Sequence, residues 1–322
     1  MAVSGKAMRK WAVRAGGSAL ALTLIFWFLP REAILEGFSR LTWQLFLGVL
    51  AAFMACHVAA AAKWWLLMDR AIPFRAALRA HFAGLAANLC LPGAAGGDAV
   101  RAAVAHVALK DGPKVAAAAI GDRTIDLVGL ACLSLTGLLL LQGQAGNRML
   151  AFALAGLVFA GAIIVMFIFP RVARGLWRTF PRLPARGLAL RLADAFAALG
   201  GRPGLLLFTL ALSASIQAVL IWLSIQLALP VGVDIPVAAW FFGWPLAKII
   251  ATLPLSLGGL GVRESSLAAL LVPFGASAAQ VVASGLAWQA ILYLAGAIGA
   301  LVLTISGGSL LGPRKAIQET VE

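Results

Sequence analysis

Two short stretches carry the side chains best suited to hold a charged ligand. LPGAAGGDAVR occupies residues 91–101 and LPLSLGGLGVR residues 253–263; aligned without a gap, 162 residues apart, they share Leu, Pro, both glycines, Val and Arg. The first supplies Pro92, Gly96, Gly97, Asp98 and Arg101. The second supplies Pro254, Gly258, Gly259 and Arg263, followed at once by Glu264. Proline removes a backbone donor and breaks a helix, and paired glycines permit a turn that other residues resist. A helix starting just after each glycine pair offers free backbone N–H groups and a positive dipole end to an anion. An arginine one turn further on adds a charge-assisted grip on phosphate or carboxylate. The bland alternative is an arginine that snorkels to the membrane interface or ties the stretch to a neighbour.

Other ionisable groups interrupt apolar runs. GDRTIDL places Asp122, Arg123 and Asp126 within a turn and a half of one expected helix, with the two acids four residues apart on a shared face. Shifted by 162 positions they meet Ser284, Gly285 and Trp288, so the cluster has no counterpart. Charges inside a membrane span face a partner or a cavity. Two readings stand open: an ion pair with Arg101 or Arg123, and a proton-coupled step through the carboxylates. Lys248, deep in an apolar run before Pro254, is a candidate ligand contact; Lys63, beside Trp64 and Trp65, reads as an interface anchor. Cys56, Cys90 and Cys132 have no paired spacing, and His57, His81 and His106 are scattered, so packing or interfacial roles are expected for all six. Nucleophile elbows, metal-ligand clusters and nucleotide or dinucleotide loops are missing from the sequence. The expectation is a protein that is not an enzyme, with no metal and no cofactor.

The elements that must position these residues are strongly apolar. Of 322 residues, 62% are hydrophobic and 12% charged, which points to an all-α integral membrane protein and excludes an ordinary soluble domain. Apolar runs at about 15–30, 41–68, 118–141, 149–170, 205–229 and 278–306 give six expected transmembrane helices. Pro30, Arg31 and Glu32 stand where a signal-peptide cleavage site belongs, so the first run is expected to be retained. The net charge of +14 gathers in segments beside the apolar runs, as the positive-inside rule requires with both termini cytoplasmic, and no nucleic-acid motif accompanies it. The two segments left over, about 72–113 and 235–275, hold the repeated stretch and are expected to be re-entrant helical hairpins. The 162-residue shift also carries the second expected span onto the fifth and the third into the sixth. Three spans separate the hairpins, so the second copy is inverted, a 3+3 arrangement used by transporters. The expected single membrane domain covers 1–308, with repeat one at about 10–145, repeat two at about 149–308, and a cytoplasmic tail at 309–322. A basic insertion at 171–204 is expected to be either an interfacial amphipathic segment on anionic lipid or a plain basic loop.

In this order, GGDAVR, GDRTIDL and LPLSLGGLGVRE resemble the lysylphosphatidylglycerol synthase transmembrane-region family, the flippase-like membrane domain of bacterial lipid-modifying proteins. The similarity runs from about residue 10 to 308. It implies a multi-pass protein of the bacterial cytoplasmic (inner) membrane that moves or presents lipids with anionic or phosphate head groups: phospholipids, polyprenyl-phosphate-linked lipids or hopanoid-related lipids. It also implies roles for Pro92, Gly96, Gly97, Asp98 and Arg101, for Asp122 and Arg123, and for Pro254, Gly258, Gly259, Arg263 and Glu264. The soluble aminoacyl-transferase domain of bifunctional members has no match here, so synthesis is not expected. The leading expectation is a flippase that holds the head group between two inverted hairpins. Its alternatives are an accessory subunit presenting a lipid carrier to a glycosyltransferase partner, and an intramembrane lipid-modifying enzyme.

Overall fold

The computed structural model describes residues 39–90, 94–141, 148–180, 186–252 and 261–305, and all regular elements among them are helical. Helix α1 runs Trp43–Leu67, α2 Phe74–Cys90, α3 Ala94–Leu109 and α4 Gly112–Leu140. Helix α5, Arg148–Ile163, passes through a π turn at Ile164–Ile168 into α6, Phe169–Thr179. Then come α7 (Arg186–Gly200), α8 (Pro203–Ala228), α9 (Val237–Ala251), α10 (Val262–Leu271) and α11 (Ala278–Ile305).

Local chemistry sets several of these starts. The Thr42 hydroxyl accepts from Leu45 N–H at 3.4 Å, and Asp111 accepts from Lys114 N–H at 3.1 Å with Pro113 in the first turn of α4. Both occupy cap positions where a side-chain oxygen meets an otherwise unpaired backbone donor. Gly261, at φ 78°, precedes α10 in a conformation glycine adopts freely, and its N–H donates to the Glu264 carboxylate at 2.8 Å.

Helices α1, α4, α8 and α11, of 25, 29, 26 and 28 residues, are long and apolar enough to cross a membrane. Helix α9 is apolar but has only 15 residues, about 22 Å at 1.5 Å per residue, less than the roughly 30 Å hydrocarbon core. The run expected at 149–170 divides between α5 and the π turn, and the run expected at 15–30 lies outside the described residues, as does the tail. Helix α3 has 16 residues, longer than the roughly ten expected, because nothing after Arg101 breaks the helix before Lys110, where φ turns to 55°. The basic insertion folds into helices α6 and α7 and is no plain loop. Helix α7 buries Ala193, Phe196 and Leu199, packs against α4, and is joined to α6 by the Arg174–Asp194 ion pair at 2.9 Å.

Shifted by 162 residues, α1 falls at 205–229, α2 at 236–252, α3 at 256–271 and α4 at 274–302, where α8, α9, α10 and α11 stand. Extensive packing crosses between these sets, with α4 against α9 and α11 against α2. Gly137 and Gly299, themselves 162 apart, make the two contacts possible. A Cβ on Gly137 would lie 2.3 Å from the Phe242 nitrogen, and one on Gly299 2.7 Å from the Phe82 carbonyl oxygen. Ser134 reinforces the first crossing by donating to the Phe242 carbonyl at 3.0 Å. Trp288 completes the centre, edge-on to Trp244 at 6.0 Å and to Phe53 at 5.4 Å.

Gly137→Ala and Gly299→Ala are each expected to cost about 1–3 kcal/mol by overpacking, read as a lower unfolding midpoint in detergent. Gly156→Ala, whose added Cβ meets no atom within 4 Å, is expected to leave the midpoint unchanged or slightly raised. Equal midpoints for all three variants would remove the close-contact account.

Candidate functional site

Along α1 the buried apolar residues fall into two groups. Phe53 and Cys56 join one core with α8, α9 and α11, whereas Trp64 and Leu67 join another with α2, α3, α4 and α7. His57 and Lys63 lie between them and line a cavity of about 130 Å³. Helix α2 contributes His81 and Asn88 to its wall, α3 Asp98 and Arg101, α4 Asp122, Arg123 and Asp126, α8 Gln217 and α9 Lys248.

The charges interlock. Lys63, 1% exposed, bridges two carboxylates: its Nζ is 3.1 Å from Asp122 and also contacts Asp126. Arg101, 5% exposed, donates to Asp122 at 2.9 Å, lies 3.4 Å from Asp98, and stacks its guanidinium 4.5 Å from the centre of the Trp64 ring. Arg123, the most exposed member, pairs with Asp98. Ser213 of α8 donates to Asp126, so the network joins α1, α3, α4 and α8. Desolvating ions costs several kcal/mol each, and such a cluster persists in an apolar bundle because every charge in it meets an opposite one. Hydrogen-bonded side chains outside the ion network complete the wall. His57 Nδ1 and His81 Nε2 share a hydrogen bond at 2.9 Å, and Asn88 accepts from Gly97 N–H at 3.1 Å.

Of the residues singled out in the sequence, Gly97, Asp98, Arg101, Asp122, Arg123, Asp126 and Lys248 meet in this cavity. The glycine pair sits inside the first turn of α3, not before it, because Ala94 and Ala95 already continue the helix. A Cβ on Gly97 would lie 2.5 Å from the Gly84 carbonyl oxygen, so this glycine lets α2 and α3 touch, and its N–H belongs to Asn88. Gly96 shares that turn without lining the cavity.

Arg263 and Glu264 stand elsewhere. Arg263 contacts Glu264 and donates to Gln289 at 3.2 Å, while Glu264, 0% exposed, caps α10 through Gly261. The acid beside this arginine closes it into a local contact. Pro92, Pro254, Gly258 and Gly259 lie outside the described residues.

Lys63 corrects the sequence reading: it is a buried cluster member and no interface anchor, and Trp64, fully buried beneath Arg101, leaves the interface with it. Of the two arginines considered as partners for the acids of α4, Arg101 takes Asp122, while Arg123 pairs with Asp98 on α3 and Asp126 contacts Lys63 and Ser213. His57, His81, Asn88 and Gln217 escaped the sequence reading. For His81, Asn88 and Gln217 a signal existed: His81 and Asn88 fall at i and i+7, and Ser213, Gln217 and Ser224 at i, i+4 and i+11, so each set shares one face of its helix.

The family profile described as "Lysylphosphatidylglycerol synthase TM region" matches residues 12–299. Comparison with curated proteins and with solved structures finds no match. With four helices able to cross a bilayer, the chain is a multi-pass membrane protein.

Lys63→Met removes the cation between two buried carboxylates and is expected to destabilise the protein by about 3–5 kcal/mol, measured by thermal unfolding in detergent. Adding Asp126→Asn to that variant is expected to recover part of the loss, because one uncompensated charge goes with it. A Lys63→Met protein as stable as the parent would contradict the cluster's structural role.

Proposed function

Because the chain belongs to the lysylphosphatidylglycerol synthase transmembrane-region family, whose membrane setting fits a lipid-related role, we propose that it is a lipid flippase. It binds an anionic or phosphate-bearing head group in the cavity, while the acyl or prenyl tails stay in the surrounding hydrocarbon. The head group crosses between leaflets as the two halves of the chain alternate. It acts without making or breaking a covalent bond and resides in the bacterial inner membrane, with a glycosyltransferase or lipid-modifying enzyme as its partner.

The observation that carries this reading is the polar cavity inside an apolar bundle, whose wall is drawn from six helices. A charged head group in hydrocarbon meets a steep penalty, and fixed ionic side chains and hydrogen-bonding groups replace the water it gives up. The recurrence of helix order at 162 residues supports two halves of opposite orientation, each with three spans and one re-entrant hairpin formed by α2–α3 or α9–α10. In that arrangement α2 and α9, too short to cross, carry polar groups to mid-membrane from opposite sides.

Reconstitution tests the proposal. Vesicles containing the purified chain are expected to carry a fluorescent anionic phospholipid between leaflets with its mass unchanged, and Arg101→Gln is expected to slow that transfer at least about tenfold. Lipid that is bound but never changes leaflet would mark an accessory carrier-presenting subunit. A changed mass would mark an enzyme.

A further inference from the structure

Among the described residues, the charged groups that line the cavity do not sum to zero, and we infer that Lys248 is the residue that sets its specificity, for a head group with one net negative charge, a lipid phosphodiester. This rests on the flippase reading and names its substrate class. Three cations, Lys63, Arg101 and Arg123, are paired among themselves with three carboxylates, Asp98, Asp122 and Asp126. Lys248 is left over. It donates to Gln217 Oε1 at 2.8 Å and lies 4.9 Å from the centre of the Trp244 ring, and neither partner carries a charge. Its place in the last turn of α9 lets the negative end of that helix offset part of the ammonium charge. The remainder has no ion-pair partner among the described residues, and Lys248, partly exposed, faces the cavity it lines, where an anion can reach it.

A second observation points to a ligand at the same place. His81 Nδ1 and Arg101 Nε belong to cavity-lining side chains 8% and 5% exposed, and neither atom has a hydrogen-bond partner. Buried polar nitrogens are nearly always satisfied, and with His57 donating the shared bond, which leaves the hydrogen of His81 on Nδ1, these two nitrogens offer donors to an oxygen-rich group; the third unsatisfied atom of the lining, Asp122 Oδ1, lies 3.1 Å from Lys63. His81 has no freedom to turn that nitrogen elsewhere without giving up its bond to His57. A phosphodiester supplies one negative charge for Lys248 together with further oxygens for Arg101 and His81. A zwitterionic head group leaves the lysine charge uncompensated overall, and a diphosphate brings at least one negative charge more than the wall can neutralise.

The test uses the full chain in phosphatidylcholine vesicles doped with labelled phosphatidylglycerol, labelled phosphatidylcholine or a labelled polyprenyl diphosphate. The parent protein is expected to move phosphatidylglycerol at least about tenfold faster than either other lipid. Lys248→Gln is expected to erase the preference of phosphatidylglycerol over phosphatidylcholine, and Lys248→Arg to keep it. Asp126→Asn, which raises the wall's charge by one, is expected to shift preference toward the diphosphate, so the rule is also tested away from Lys248. Equal rates for all three lipids in the parent, or an unchanged preference in Lys248→Gln, would overturn the charge rule and leave the flippase reading standing. No movement and no binding of any lipid would overturn both. Tighter binding of soluble glycerol phosphodiester than of the lipid would also overturn the proposal, by moving the site to a free ion.

Discussion

A lysine ammonium held between two aspartates inside an apolar helix bundle is the constraint around which the rest of this protein is arranged. Lys63 cannot leave Asp122 and Asp126 without stranding charge inside an apolar bundle. The need for partners therefore fixes α1 against α4, while Arg101 brings α3 to the same place and Ser213 brings α8. Apolar packing alone is indifferent to small rotations of a helix about its axis. Ion pairs are not, because a turn of a few tens of degrees would carry a carboxylate out of reach. The charged seam thus specifies which faces of four helices meet, and it separates the two apolar cores that flank it.

The two halves of the chain share a helix order but not a chemistry. Where the first half has Asp122, Arg123 and Asp126, the second has Ser284, Gly285 and Trp288. Gly285 lies against Glu264, and Arg263 turns to Glu264 and Gln289 instead of opening toward the cavity. Among the described residues, the polar side chains that the second half lends to the cavity lining are Lys248 and Gln217, one cation and one amide. The backbone repeat supplies the frame, and nearly all of the ionic content sits on one side of it.

Much of this was readable from residue types and spacing. The 162-residue offset between the two Leu-Pro stretches anticipated the correspondence of α1–α4 with α8–α11, and the acids of GDRTIDL announced themselves as intramembrane charges in need of partners. One of the two partners considered for Asp122, Arg101, is a partner it has, and Lys63 is another. Lys63 was misread because tryptophans beside a lysine near the end of an apolar run look the same whether the helix end meets water or another helix. Sequence periodicity shows that a residue lies on a face; it does not show what the face meets. The two arginines of the repeated stretch diverge for a similar reason. Both reach the following long helix, but one meets the neutral Gln289 of α11 and is charge-paired by its neighbour Glu264, whereas the other, with Ala102 beside it, pairs with Asp122 of α4. His57 and His81 sit 24 residues apart on different helices, and no local pattern relates them before those helices are packed.

The crossing of α4 with α9 bears on how the chain is made. Gly137 opens a groove in α4 that Phe241 and Phe242 fill, and those residues are synthesised about a hundred positions later. Until they emerge, α4 enters the bilayer with its closest neighbour missing and its glycine face against lipid. Helix α2 waits longer still for Gly299. Contacts of such long sequence separation form late, because loop closure must precede the packing that rewards it. The ionic links among α1, α3 and α4, all made within the earlier part of the chain, are therefore in place to hold a half-built bundle together while translation continues.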